Sequence, residues 1–269
     1  MTEGRAPGGP AAPSGVASAR PALGTPCWVS LTAHGPTAAQ EFYGELFGWE
    51  FRAGPRQLGP YVRALLDGRE VAGIGRLPAD RHLTVAWTPY LASDRVDATA
   101  DTVRLCGGTV GVGPLDAGDA GRLAIGSDPS GAVFGVWQAA AHLGTAVTGV
   151  HGTPAWHELV TYEAAGVATF YETVFGYGRQ AAKPADTDHV PLLVDGRPVA
   201  GVRGLGALPR DRGPHWVTYF EVDDADEALA RIVGRGGRVL HPVRDVAHGR
   251  VADVADPEGA RFALIQRSC

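Results

Sequence analysis

Residues 42–49 read FYGELFGW, and 128 positions later residues 170–177 read FYETVFGY. The echo does not stop there. Trp28 is answered by Trp156, DGREVAG (67–73) by DGRPVAG (195–201), and WTPYLASDRVD (87–97) by WVTYFEVDDAD (216–226). Gly107-Gly108 returns as Gly236-Gly237, and Asp128-Pro-Ser-Gly as Asp256-Pro-Glu-Gly. Matches in one order at an almost constant spacing, 128 or 129 positions, mean a unit built twice, and the period is far too long for a solenoid. The chain divides into a domain at 25–140 and a second at 154–268. AHLGTAVTGVHGT (141–153), short and rich in small residues, is the linker. Residues 1–24, dominated by Pro, Gly, Ala and Ser, cannot bury much apolar area and are expected to be a flexible tail.

Each half repeats a rhythm of its own. In the second half WHELVT (156–161) has strand character. Val167, Phe170, Tyr171, Val174 and Phe175 then fall on one helical face, closed by Gly176. PLLVDG and RPVAGVRG read as strands around a turn at Asp195-Gly196. After Pro214 the series restarts. HWVTYFEV is a strand, Asp223 or Asp224 is placed to cap a helix, and Ala225, Ala228, Leu229, Ile232 and Val233 form its apolar face. RVLHPV, RVADV and RFALIQ close the half as short strands. The first half parses alike, with Gly35-Pro36 opening its first helix. The expected fold class is α+β: two tandem domains, each a pair of βαβββ units.

A βαβββ unit packs one sheet face on its helix and leaves the other free. Two units side by side can curve their free faces around a hollow, with alternate strand residues pointing into it. A hollow of that kind is a natural pocket for a small molecule. The remaining composition excludes other partners. The net charge of −5 comes with no basic stripe, so nucleic acid is not expected, and no apolar run is long enough to span a membrane. The N-terminus lacks the apolar centre of a secretory signal, so the expected location is cytoplasmic. Cys27, Cys106 and Cys269 are too far apart for a zinc motif or a disulfide framework.

The paired units, the FYxxxFGW/Y helix end, the VDD-helix-GG segment and the DPxG turn together resemble the vicinal oxygen chelate superfamily of glyoxalases, bleomycin-resistance-type proteins, fosfomycin-resistance enzymes and extradiol dioxygenases. The likeness spans residues 25–268 and is nearest to two-domain actinobacterial glyoxalase-like proteins. It implies a metal site with one ligand on the first strand, one on the fifth and one on the last. Carried over position by position, those ligands fall on Trp28, Thr88 and Gly135 in the first half. In the second half they fall on Trp156, Val217 and Ala263. Side chains of this set do not coordinate a cation, and a lone threonine does not make a site. No metal and no cofactor is therefore expected. The resemblance also admits a homodimer paired through sheet edges.

Strand parity lines the first hollow with Trp28, Ser30, Thr88, Tyr90, Val133, Gly135 and Trp137. It lines the second with Trp156, Glu158, His215, Val217, Tyr219, Arg261 and Ala263. The second set holds a carboxylate, an imidazole, a phenol and a guanidinium. Glu158 and His215 are the expected catalytic pair, and either can serve as base near neutral pH. Trp156, Tyr219 and Arg261 are expected to bind a ligand there, as are Trp28, Tyr90 and Trp137 in the first hollow. A structural Glu158–Arg261 ion pair, or an exposed His215 at a strand end, is the competing account. His34, His82, His142, His151 and His189 fall in loops or the linker and carry no pattern. The expected partner is a small, partly aromatic organic molecule. The expected activity is metal-independent proton-transfer, isomerase, lyase or oxygenation chemistry on a metabolite. A drug- or metabolite-sequestering protein is the alternative, and a metal-dependent lyase or dioxygenase a further one.

Overall fold

The computed structural model describes residues 20–77, 84–178, 189–208, 213–246 and 248–268. Most of the expected tail and His82 lie outside them. At the described end of that tail, the Gly24 amide bonds the Ala92 carbonyl, and the Tyr177 hydroxyl bonds the Gly24 carbonyl.

The first half forms β1 (Pro26–Ala33), α1 (Pro36–Phe47), β2 (Glu50–Ala53), β3 (Tyr61–Leu66) and β4 (Arg69–Arg76). It continues with β5 (Ala86–Ala92), α2 (Val96–Leu105), β6 (Thr109–Asp116), β7 (Gly121–Ser127) and β8 (Val133–Ala139). These make one sheet in the order β2-β3-β4-β1-β5-β8-β7-β6. The second half forms β9 (Pro154–Thr161), α3 (Ala164–Phe175), β10 (His189–Val194) and β11 (Arg197–Gly204). Then come β12 (His215–Glu221), α4 (Ala225–Gly234), β13 (Arg238–Val246), β14 (Gly249–Ala255) and β15 (Arg261–Arg267). Its sheet runs β10-β11-β9-β12-β15-β14-β13. The counterpart of β2 is marked here by a single bridge, Gly178 to Leu193, beside residues outside the described set.

Both DG turns take positive φ at Asp and Gly, 49° and 74° at Asp67-Gly68 and 50° and 74° at Asp195-Gly196. Two successive left-handed residues match the twist of a tight hairpin, and Asp-Gly tolerates them best. Asp224 caps α4 by accepting from the Asp226 and Glu227 amides at 2.9 Å. On α3 the predicted apolar face is buried at Phe170, Tyr171, Val174 and Phe175. On α4 it is narrower than the spacing suggests: Ala225, Ala228 and Ile232 are buried, whereas Val233, at the edge of the stripe, is 58% exposed.

The helix-bearing faces of the two sheets meet each other. One core cluster joins Leu31, Phe42, Tyr43 and Trp87 of the first half to Phe220, Ile232 and Phe262 of the second. The other joins Leu91 and Phe134 to Leu159, Phe170, Tyr171 and Trp216. Each core is thus built half from each domain. Its centre is polar and repeated. Trp87 Nε1 donates to the Tyr43 hydroxyl at 2.9 Å, and that hydroxyl donates to Asp256 Oδ2 at 3.0 Å. Trp216 Nε1 donates to the Tyr171 hydroxyl at 3.0 Å, which donates to Asp128 Oδ2 at 3.0 Å. The FY and DPxG motifs therefore recur because each domain's tyrosine docks into the other domain's aspartate turn. Glu258, the x of the second turn, adds a one-sided contact by accepting from the His34 and Gly35 amides at the start of α1.

Candidate functional site

With the helix faces turned inward, the free faces of the sheets look outward, one hollow to each side. Their floors are set by register. In the first sheet Trp28, Tyr90 and Gly135 lie side by side on β1, β5 and β8. In the second, Trp156, Tyr219 and Ala263 lie side by side on β9, β12 and β15.

The first hollow is nearly filled by rings. Trp28, Tyr90 and Trp137 are 5%, 8% and 5% exposed, packed with Ala120 and Leu123. Two glycines make the packing feasible. A Cβ at Gly135 would stand 2.2 Å from the Tyr90 ring, and one at Gly73 would stand 1.8 Å from the Tyr61 hydroxyl, so both rings lie flat on bare backbone. Tyr61 accepts from Trp28 Nε1 at 2.8 Å and sits 2.7 Å from Ser30 Oγ. A void of about 30 Å³ remains. It is lined by Trp28, Tyr61, Trp137 and His142, with Leu58 and Ala120 among the other lining residues.

His142 reaches this hollow from the linker, which is pinned along the sheet. The Thr145 and Ala146 amides bond the Cys27 and Glu70 carbonyls. The imidazole stands edge-on to Trp28 and Trp137, and its Nδ1 lies 2.7 Å from Glu70 Oε2. Arg63 holds the other Glu70 oxygen at 2.6 Å. The hydrogen bond from His142 is the strongest influence on the Glu70 carboxyl and, with Arg63, draws it down to about 2 against the opposing effect of burial.

The second hollow is polar. Glu158 is 4% exposed, yet among the described residues it is ringed by partners. Tyr219 donates to Oε2 at 3.1 Å, Arg203 stands 2.9 Å from the same oxygen, and His189 Nε2 is 3.4 Å from Oε1. Burial, the largest single influence, pushes this carboxyl up. His189, Arg203 and Tyr219 together outweigh it, and the carboxyl lies below its ordinary range. Burial and the neighbouring Glu158 and Asp253 charges push the Tyr219 phenol up. Asp253, level with Ala263 on the next strand, is held by Arg244 at 2.8 Å and His241 at 3.1 Å. Trp156 and Val217 flank the group.

Of the residues singled out from the sequence, Trp28, Tyr90 and Trp137 share the first hollow, and Trp156, Glu158 and Tyr219 share the second. Arg261 opens β15, two positions before Ala263 on the same face. His215 opens β12, level with Val160, two positions before Val217 on the same face, with Nδ1 2.9 Å from the Gly213 carbonyl. Three polar residues that periodicity passes over are central: His142, His189 and Arg203. His189 was within reach of the repeat, since it stands 128 positions after Tyr61 just as Glu158 stands 128 after Ser30. A Cβ at Gly201 would come 2.7 Å from His189 Nε2, so the imidazole occupies Tyr61's place over the matching bare backbone.

The positions to which the resemblance assigns metal ligands hold two indoles, Thr88, Val217, Ala263 and Gly135, and the Tyr90 ring covers the last of these. That donor set does not fit a cation. Among the described residues no group of three or more His, Cys, Asp or Glu side chains is placed to hold a metal ion. Among them, too, no helix is long and apolar enough to cross a membrane.

Two such sheets, each with its hollow on the free face, define a tandem glyoxalase-like protein. The sequence model of the Glyoxalase/Bleomycin resistance protein/Dioxygenase superfamily matches residues 145–264. CFP32 of Mycobacterium tuberculosis is 38% identical over 249 residues, covering 90% of this chain and 95% of that protein. The anthracycline biosynthesis protein DnrV of Streptomyces peucetius is 36% identical over 265 residues, covering 91% and 94%. The chain belongs to this superfamily. Among solved structures, the 2,3-dioxygenase LapB of Pseudomonas sp. KL28 shares the fold with a TM-score of 0.64 at 13% identity, covering 93% of this chain and 94% of that one. The Mn(II)-bound glyoxalase of Novosphingobium aromaticivorans does so with a TM-score of 0.62 at 16% identity, covering 91% and 82%.

Proposed function

We propose that the protein is a metabolite-tailoring enzyme whose second hollow moves a proton on a planar organic molecule without a metal. The observation that carries this reading is the buried Glu158 carboxylate shared by His189, Arg203 and Tyr219 beside the Trp156 indole. A carboxylate held by so many donors is a weak base. It serves better to orient the His189 imidazole, whose second nitrogen then accepts the proton. His189 is the base and Glu158 its positioning partner, and His215 is a residue of the rim. As a C–H bond next to a carbonyl gives up its proton to His189, its electron pair forms a C=C bond and the carbonyl π pair moves onto oxygen. Arg203, with guanidinium hydrogens beyond those facing Glu158, stabilises that charge, while Tyr219 holds Glu158 in place, and the imidazolium returns the proton to a different atom. Trp156 offers a flat apolar face for the substrate. The relatives named for anthracycline biosynthesis support a polycyclic aromatic substrate class.

The test is turnover of polycyclic aromatic ketones by the full chain, before and after exhaustive chelation. Unchanged turnover after chelation is expected. Loss that Mn(II) or Fe(II) restores overturns the metal-free reading. The indoles at both first-strand positions favour a second reading, a sequestering protein, which predicts tight binding of the same ketones with no product formed.

A further inference from the structure

We propose that the first hollow is a separate binding site, for a small planar molecule carrying an acidic hydroxyl, a phenol or an enol, whose oxygen bonds Nε2 of His142. This inference stands apart from the reading of the second hollow, since it uses other residues on the other side of the molecule.

Three contacts fix His142, two at its ring and one at its backbone. Nδ1 meets Glu70 at 2.7 Å, the ring stands edge-on at 4.4 Å from the Trp28 ring, and Trp137 Nε1 donates to the His142 carbonyl at 2.9 Å. The side chain is only 8% exposed. Nε2 nevertheless has no hydrogen-bond partner among the described residues. A buried polar atom left unpaired destabilises a fold, and native structures rarely leave one without a role. Here the unpaired atom belongs to a residue lining the void.

The chemistry follows from the other nitrogen. With Nδ1–H given to Glu70, Nε2 presents its lone pair. An acidic O–H donates to it, or transfers its proton outright, breaking O–H and forming N–H. In the second case the imidazolium still holds the same oxygen, and Glu70 balances its charge. Either protonation state therefore binds one ligand oxygen. The Trp28, Trp137 and Tyr61 rings among the walls suit a flat ring, and the Ser30 hydroxyl beside Tyr61 suits a second ligand oxygen.

Phenol is the probe, with benzene as its apolar counterpart. Imidazole nitrogen resonances are followed in the wild-type full chain, so the main readout needs no variant. Phenol is expected to shift one Nε2 signal that is missing from His142→Gln, and to bind about tenfold more tightly than benzene. His142→Gln is expected to remove that preference, Glu70→Gln to weaken it, and Glu158→Gln to leave it intact. An Nε2 signal that phenol leaves unmoved up to its solubility limit would mean a water-filled void and overturn the proposal. So would equal binding of phenol and benzene, or a phenol shift lost in Glu158→Gln instead.

Discussion

At the scale of single residues, the two hollows reach a similar chemistry by different routes. Each pairs a glutamate with a histidine and an arginine, Glu70–His142–Arg63 in one and Glu158–His189–Arg203 in the other. None of these six occupies equivalent positions in the repeat. Parity placed Glu158, because a charged residue alternating with apolar ones on a central strand has only the hollow to face. It could not find His142, which reaches its hollow from a linker without periodicity and has no counterpart in the second half. If His189 is the base, His189→Gln lowers kcat on an aromatic ketone substrate by about 10²–10⁴-fold, with a smaller effect on KM. Glu158→Gln should lower kcat and also displace the pH profile, because the imidazole loses its carboxylate partner. Equal kcat in wild type and His189→Gln would remove His189 from the chemistry.

Elements carry the next constraint, and glycine sets it. The β8 strand could not hold the Tyr90 ring against its backbone with any side chain at 135. Gly135→Ala should lower stability by about 1–3 kcal/mol through overpacking, read as a shifted denaturation midpoint, and should displace Tyr90. On β9 the side facing the other domain holds His157, buried, with Nδ1 3.1 Å from Thr218 Oγ1. Burial pushes its imidazole down from 6.5 to about 4. Between those values the unfolded chain takes up a proton that the folded chain refuses. Stability present above pH 6.5 is therefore lost as pH falls toward 4, by about 3 kcal/mol from this residue. Urea midpoints between pH 4 and 7 should fall less steeply for His157→Leu than for wild type. Parallel profiles would show that other groups govern acid sensitivity. The elements themselves were legible from sequence because helix stripes, DG turns and strand alternation each leave a local signature. The narrower buried stripe of α4 was not, since the reach of the sheet beneath it is a tertiary property.

Across the whole molecule the repeat was plain in the sequence, but the way its copies meet was not. Recurrence of FY and DPxG signals a structural role without saying that the partner lies 213 positions away, as Tyr43 and Asp256 do. Tyr43→Phe and Tyr171→Phe each leave a buried carboxylate oxygen and an indole N–H unpaired. Each should cost about 1–3 kcal/mol in chemical denaturation. Because the two clusters share no residues, the double variant should show the sum. Strong non-additivity would mean that the two tyrosine clusters interact energetically in the folded state. The fastening of the halves also leaves their outer cups untouched. A lineage could recarve one cup for a new guest while the other, and the seam between them, stayed as they were.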